Sequence, residues 1–123
     1  MTRPRVLLAD DYPAMVTAVS RLLSLDCEVV GTVEDGSALL QAVQRLQPDI
    51  VVLDLNLPDL SGLEACRQIT DAYPQTKVIV FTAVTDPEIR QRSLAVGASA
   101  FVSKLGPVNE LLSAIKRLSV AGA

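Results

Sequence analysis

The chain has 123 residues, half of them hydrophobic, with a formal net charge of −3, so we expect one globular domain with a proper core. An acidic chain with 3% aromatic residues is a poor candidate for direct nucleic-acid binding, which needs clustered basic residues and stacking rings. It contains no histidine, the commonest general base and metal ligand, and no run near the ~18 apolar residues of a membrane span.

In chain order, short apolar runs alternate with longer helical patterns. The runs predict strands, each expected to be buried on both faces, at Val6–Ala9, Val29–Val33, Ile50–Leu53, Val78–Phe81 and Ala100–Val102. The helical patterns cover Pro13–Ser24, Ser37–Leu46, Ser61–Ala72, Asp86–Gly97 and a final stripe of Val108, Leu111, Leu112, Ile115 and Leu118.

Three of these helices carry recognisable end signals. The helix Ser37–Leu46 follows the turn signal Asp35-Gly36, and Pro48 stops it. Ser61 and Glu64 fit a capping box. Asp86 and Pro87 supply an N-cap and a first-turn proline, and Gly97 ends the same helix. Five strand–helix repeats predict a doubly wound α/β fold, with a five-stranded parallel sheet and five helices on its two faces. Functional groups of such sheets gather at the carboxyl ends of the strands.

Polar side chains stand at four of these strand ends. Asp10 and Asp11 follow the first strand, Asp54 the third, Thr82 the fourth and Lys104 the fifth. Converging carboxylates repel one another, and Mg²⁺, which prefers oxygen ligands, resolves that conflict. A metal, a lysine and a hydroxyl around one carboxylate form a cradle for a phosphoryl group. We therefore expect Asp54 to be a phosphoryl acceptor that forms an aspartyl phosphate.

Four segments together resemble the receiver domain of two-component response regulators: LLADD, DLNLPDLSG, VIVFTA and GASAFVSK. The resemblance covers essentially the whole chain. It implies a single receiver domain over residues 1–123, with a flavodoxin-like (βα)5 fold and strand order 2-1-3-4-5. It also implies a switch rather than an enzyme, apart from the domain's own phosphorylation and slow dephosphorylation.

The resemblance implies a role for each site residue. Asp54 matches the phosphorylated aspartate, Asp11 the direct Mg²⁺ ligand, and Asp10 its neighbour, which usually acts through a water. Asn56 matches the position whose backbone carbonyl completes the metal site. Thr82 and Lys104 match the hydroxyl and the lysine that hold the phosphoryl group. Phe101 matches the aromatic switch residue, which turns inward as the face around the fourth helix, fifth strand and fifth helix changes.

The implied partners follow from the family. A sensor histidine kinase would donate the phosphoryl group, and phosphorylation could produce a homodimer. The segment around DLNLP is similar to regulators with a C-terminal helix-turn-helix domain, so DNA would be contacted through a domain absent from this chain and transcription would be the output. We expect a cytoplasmic protein whose two cysteines, Cys27 and Cys66, are reduced thiols.

Two positions depart from the family pattern. Leu105 follows Lys104 where the family often has proline, and proline comes only at Pro107, so the last loop is expected to differ in shape. Val84 lies at a position whose side chain tunes dephosphorylation in other members. Because an apolar side chain cannot hold an attacking water, we expect slow hydrolysis.

Alternative interpretations remain for several features. Asp10 and Asp11 could cap the first helix, and Asp59 is best interpreted as an ordinary turn residue. An aspartyl phosphatase would carry a second aspartate where Asn56 stands. A flavin carrier would need a phosphate-binding loop where the sequence has acidic residues. The remaining alternative is a receiver-like module that binds partners without being phosphorylated.

Overall fold

The computed structural model describes residues 3–84, 86–107 and 109–121. Its strands are β1 (Arg5–Ala9), β2 (Glu28–Val33), β3 (Ile50–Leu53), β4 (Lys77–Thr82) and β5 (Ala100–Ser103). Its helices are α1 (Pro13–Leu23), α2 (Gly36–Leu46), α3 (Gly62–Ala72), α4 (Pro87–Ala95) and α5 (Glu110–Ala121). Every predicted element is present, and each strand boundary lies within about a residue of its predicted position.

The five strands form one parallel sheet in the order β2-β1-β3-β4-β5, which confirms the predicted fold class. Strand order reverses between β1 and β3, the place where open sheets of this kind form their crevice. Ala9 pairs with Leu53 in the β1–β3 register, and the Asp54 N–H donates to the Ala9 carbonyl at 2.9 Å. The acidic residues that follow these two strands are therefore brought side by side.

The core has two layers, one on each face of the sheet. Side chains of β1 alternate between them, with Val6 and Leu8 packed towards α1 and α5, and Leu7 and Ala9 towards α2 and α3. Cys27 belongs to the first layer and Cys66 to the second, and both are free and buried. The predicted free thiols are confirmed.

Helix α4 packs less than the other described helices because its only buried residue is Ser93, whose hydroxyl donates to the Ile89 carbonyl. Its predicted ends are confirmed. The Asp86 carboxylate accepts from the Glu88 N–H at 2.9 Å, and Gly97 follows the helix with a φ of +113°.

Two predictions about the elements were wrong. Burial on both faces fails for the two edge strands, since β2 leaves Glu28 and Thr32 exposed and β5 leaves Phe101 only half-buried. The capping box also fails, since Ser61 makes no side-chain cap hydrogen bond. The Glu64 carboxylate instead accepts from Arg67 and Gln68, its neighbours along the helix.

The stripe of α5 is confirmed where it is described, with Leu111 and Ile115 buried and Leu112 and Leu118 partly buried. The predicted start of that stripe, Val108, lies outside the described residues, as do Met1, Thr2, Thr85, Gly122 and Ala123. Among the described residues, we find no helix with the length and hydropathy needed to cross a bilayer.

Candidate functional site

Three carboxylates meet where β1 and β3 end. Oxygens of Asp10, Asp11 and Asp54 all lie within 4.8 Å of one another. Asp10 and Asp54 are only 1% and 6% exposed, whereas Asp11 is open to solvent. The sequence predicted this convergence from the strand ends, and the parallel register produces it.

Lys104, at the end of β5, lies between the two buried carboxylates. Its Nζ is 2.6 Å from Asp10 Oδ2 and 3.1 Å from Asp54 Oδ2. Burial on its own lowers the pKa of Lys104, but the hydrogen bonds to Asp10 and Asp54 and their charges outweigh burial and raise that pKa above its ordinary value. The lysine is therefore held as an ammonium group that donates charge-assisted hydrogen bonds to both carboxylates.

Backbone N–H groups hold the other oxygen of each buried carboxylate. Asp54 Oδ1 accepts from the Asn56 N–H at 3.1 Å, and Asp10 Oδ1 accepts from the Tyr12 N–H at 3.0 Å. Both are contacts to the residue two positions on, the pattern of an Asx turn. Asp10 thus holds the turn into α1 while also facing Lys104. The capping alternative was wrong, because the N-cap of α1 is Tyr12 and the helix has no side-chain cap hydrogen bond there.

Thr82 ends β4 and is fully buried. Its Oγ1 accepts from the Val84 N–H at 3.2 Å, which leaves the hydroxyl proton free to donate to another group. The Lys104 N–H donates to the Thr82 carbonyl at 2.9 Å, so the backbones of these two site residues are joined directly. Phe101 is half-buried and packs against the core layer of α2 and α3.

The loop after Lys104 begins with Leu105, at the position where the sequence resemblance led us to expect proline. The Leu105 N–H donates to Ser103 Oγ at 3.0 Å, a bond that proline cannot make. The Leu105 side chain is 75% exposed. With leucine at position 105, Lys104 still reaches Asp10 and Asp54.

Asp59 does more than occupy a turn. Its carboxylate accepts from the N–H groups of Gly36 and Ser37, at 2.6 and 3.1 Å, at the start of α2. The turn interpretation missed this contact because the partners lie more than twenty residues earlier in the chain. Asp35, the N-cap of α2, accepts from the Ala38 N–H at 2.7 Å, and its Asp-Gly sequence gave a local signal.

The donor set at the strand ends fits a hard divalent cation. Three ionised carboxylates against one ammonium leave two net negative charges in a small volume. All three carboxylates supply oxygen ligands, which Mg²⁺ prefers. The neighbouring lysine adds an anion-binding group on the same side, and the arrangement can therefore bind a metal and a phosphate together.

Comparisons with known proteins agree on one family. The family model described as "Response regulator receiver domain" matches residues 6–116. The oxygen regulatory protein NreC of Staphylococcus carnosus is 35% identical over 91% of this chain and 53% of its own length. The transcriptional regulatory protein DegU of Brevibacillus brevis is 31% identical over 97% of the chain and 51% of its own.

A solved structure is similar over nearly the whole chain. The two-component response regulator of the LuxR family from Aurantimonas sp. SI85-9A1 has a TM-score of 0.93 and 29% identity, covering 98% of this chain and 87% of that one. The present chain spans about half the length of the curated relatives NreC and DegU.

Proposed function

The chain belongs to the response regulator receiver domain family, and from that premise we propose that it is a phosphorylation-activated switch whose phosphoryl acceptor is Asp54. The observation that carries the proposal is the setting of this carboxylate. Asp54 is buried, its two oxygens are held by Lys104 and by the Asn56 N–H, and two further carboxylates lie beside it. A buried aspartate with only a structural role would need a partner for its charge, but it would not need two further carboxylates beside it.

In this proposal the donor is a phosphohistidine of a sensor histidine kinase. Because this chain contains no histidine, such a donor must lie on another chain. An Asp54 carboxylate oxygen attacks phosphorus, an O–P bond forms as the P–N bond breaks, and the imidazole nitrogen leaves with the bonding electrons. Mg²⁺, held by Asp10, Asp11, Asp54 and the backbone carbonyl of Asn56, would screen the charge of the acceptor and of the incoming phosphoryl oxygens.

Lys104 and Thr82 hold the new phosphoryl group. The Lys104 ammonium already contacts Asp54 Oδ2, so a short movement brings it onto a phosphoryl oxygen. Thr82 donates its free hydroxyl proton to another. The Thr82 movement changes the space beside Phe101 and shifts the population between two packings of α4, β5 and α5.

We further propose that residues 1–123 are one receiver domain that controls an output elsewhere, most directly transcription. The support is that the relatives carry regulatory and transcriptional names and are about twice as long. In this proposal a C-terminal domain absent from the chain contacts DNA, phosphorylation promotes a homodimer in the cytoplasm, and no substrate is turned over.

The test is intact-mass measurement after incubation with acetyl phosphate. We expect one added phosphoryl group on the native chain with Mg²⁺, and none with EDTA or in Asp54→Asn. Asp49→Asn, in the loop before β3, is the matched control and should be phosphorylated like the native chain. No addition to the native chain, from acetyl phosphate or from a phosphorylated kinase domain, would favour a module that acts without phosphorylation.

A further inference from the structure

Asp59 connects the loop that follows the site to helix α2. The loop runs from residue 54 to residue 61, between β3 and α3. Near its far end the Asp59 carboxylate binds the Gly36 and Ser37 N–H groups with one oxygen each. We call this pair of hydrogen bonds the Asp59 clamp.

The start of α2 is built to receive this carboxylate. The first N–H groups of a helix have no partner within it and carry a partial positive charge. A Cβ on Gly36 would lie 2.4 Å from Leu60 Cβ, so only glycine lets the loop come this close. Asp35 covers the next N–H, of Ala38, from within its own segment. The helix start therefore has two acidic caps, and one of them comes from the loop.

The same loop also shapes the phosphorylation site. The Asn56 N–H holds Asp54 Oδ1, and the Gly62 N–H closes the loop on the Leu55 carbonyl at 3.2 Å. Leu57 is buried in the core layer of α2 and α3. Apolar packing of that kind is non-directional, whereas hydrogen bonds restrict angle as well as distance. The Asp59 clamp supplies directional contacts at the end of the loop opposite Asn56.

We propose that Asp59 is a positioning residue for phosphoryl acceptance. By fixing the loop to α2 it fixes the backbone of Asn56, whose N–H holds Asp54 Oδ1 and whose carbonyl would complete the proposed metal site. This inference rests on the proposed function. Asp59 itself touches neither the phosphoryl group nor the metal.

Thermodynamic coupling between the Asp59 clamp and Mg²⁺ binding would have a measurable effect that a purely structural cap would not produce. If the Asp59 clamp favours Mg²⁺ binding, Mg²⁺ must favour the clamp by the same factor. Saturating Mg²⁺ should therefore slow amide hydrogen exchange at Gly36 and Ser37 in the native chain. In Asp59→Ala the same two amides should exchange faster and should no longer respond to Mg²⁺.

The matched control is Asp35→Ala, which removes the other acidic cap of the same helix. We expect both variants to lose similar stability in urea unfolding. Mg²⁺ titration followed by amide resonances should give a dissociation constant raised about fivefold or more in Asp59→Ala and unchanged in Asp35→Ala. Asp59→Asn, which keeps one oxygen acceptor, should fall between Asp59→Ala and the native chain.

The outcomes separate this inference from the proposed function. Equal Mg²⁺ affinities in Asp59→Ala and Asp35→Ala, or native Gly36 and Ser37 amides that ignore Mg²⁺, would overturn the role of Asp59 while Asp54 phosphorylation stands. A native chain that binds Mg²⁺ with the expected linkage but never gains a phosphoryl group would overturn the proposed function and leave the clamp–metal coupling intact. A native chain that binds no Mg²⁺ would overturn both.

Discussion

Two buried carboxylates, Asp10 and Asp54, share the ammonium group of Lys104. Taking two carboxylates out of water is costly, and a close cation with good geometry offsets part of that cost. Each carboxylate also accepts a backbone N–H. At the residue scale, Lys104 thus has two proposed roles: it pairs with the buried Asp54 carboxylate before phosphorylation and is close enough to bind the phosphoryl group afterwards.

Lys104→Met should therefore change both stability and chemistry. In metal-free buffer we expect the free energy of unfolding to fall by about 3 kcal/mol, because two buried carboxylates lose their cation. Adding Mg²⁺ should restore part of the lost stability. The rate of phosphorylation by acetyl phosphate should fall roughly 100-fold. Urea unfolding and intact mass are the measurements. Lys116→Met, on an exposed position of α5, is the control, and equal losses in both variants would contradict the role of Lys104.

Val84 should set the lifetime of the aspartyl phosphate. Its apolar side chain cannot hold a water against the phosphoryl group, so we expect a half-life well beyond seconds in Mg²⁺ buffer. Val84→Asn, which adds a hydrogen-bonding side chain at the same position, should shorten that half-life several-fold. Loss of the phosphoryl mass with time measures both chains. A native half-life of seconds would contradict the prediction.

Cys66 makes stability depend on alkaline pH. Burial raises the pKa of its thiol to about 11, from 9.0, so the folded chain keeps a proton that the unfolded chain releases. Stability from this group is complete below about pH 9 and is lost as the pH rises towards about 11, a loss of roughly 2 kcal/mol at the upper limit. Cys66→Ala should unfold with a smaller pH dependence over this window in urea titrations. Identical pH dependence in both chains would show that the Cys66 proton is not linked to folding.

Residues at strand ends were predictable because the signal is local: an apolar run followed by a carboxylate, a hydroxyl or a lysine. The hydrogen bonds between these residues were harder to predict from the sequence. Nothing in the sequence shows that Lys104 binds Asp10 as closely as Asp54, or that Asp59 reaches Gly36 and Ser37. These contacts depend on which distant segments the fold brings together, and apolar periodicity along the sequence does not show this.

Element boundaries followed from apolar periodicity and from end signals such as Asp86 and Gly97. The errors have a common cause, which is that a local sequence pattern does not show what else surrounds a residue in the folded chain. The Glu64 carboxylate could have closed a capping box, but Arg67 and Gln68 lie on the same helix face and bind it. The predicted strand order correctly put β2 at an edge, but its apolar sequence alone suggested burial on both faces, which the edge position does not provide.

Helix α4 is held mainly at its C-terminal end. The Thr70 hydroxyl of α3 donates to the Val96 carbonyl at 3.0 Å, and a Cβ on Gly97 would lie 2.5 Å from Thr70 Oγ1. Helix α4 has little buried surface of its own, and the Thr70 hydroxyl divides its one proton between the Val96 carbonyl and the equally near Cys66 carbonyl of α3. An element attached this lightly is well suited to shift between two packings.

Gly97→Ala should destabilise the chain by about 2 kcal/mol, because its φ of +113° strains any L side chain and Thr70 occupies the space. Gly106→Ala is the matched control, since its new Cβ would meet only the end of the flexible Glu110 side chain, and its effect should stay within about 0.5 kcal/mol. Urea unfolding compares the two. Equal effects would show that α4 does not depend on the Gly97 approach.

At the scale of the whole molecule, the proposed switch works only if phosphorylation at the end of β3 changes the packing of β5 and α4. Thr82 is the proposed link, because its carbonyl accepts from the Lys104 N–H and its hydroxyl proton is free to donate to a phosphoryl group on Asp54. The chain has only two phenylalanines, Phe81 and Phe101, so ¹⁹F-phenylalanine labelling gives two resonances.

Phosphorylation should move the Phe101 resonance in the native chain and in Thr82→Ser, which keeps the hydroxyl. In Thr82→Ala the chain should still gain the phosphoryl mass while the Phe101 shift is lost or much reduced. Phe81→Leu assigns the two signals. A phosphorylated native chain with an unmoved Phe101 resonance would contradict the coupling.

The most direct test of the central claim is to locate the phosphoryl group. The chain is phosphorylated with acetyl phosphate and Mg²⁺, reduced with borohydride, which converts aspartyl phosphate to homoserine, and digested for fragment-ion mass spectrometry. We predict homoserine at residue 54 and at no other aspartate. A stable phosphate on a hydroxyl such as that of Thr82, or homoserine at Asp10 or Asp11 with Asp54 unchanged, would contradict the account.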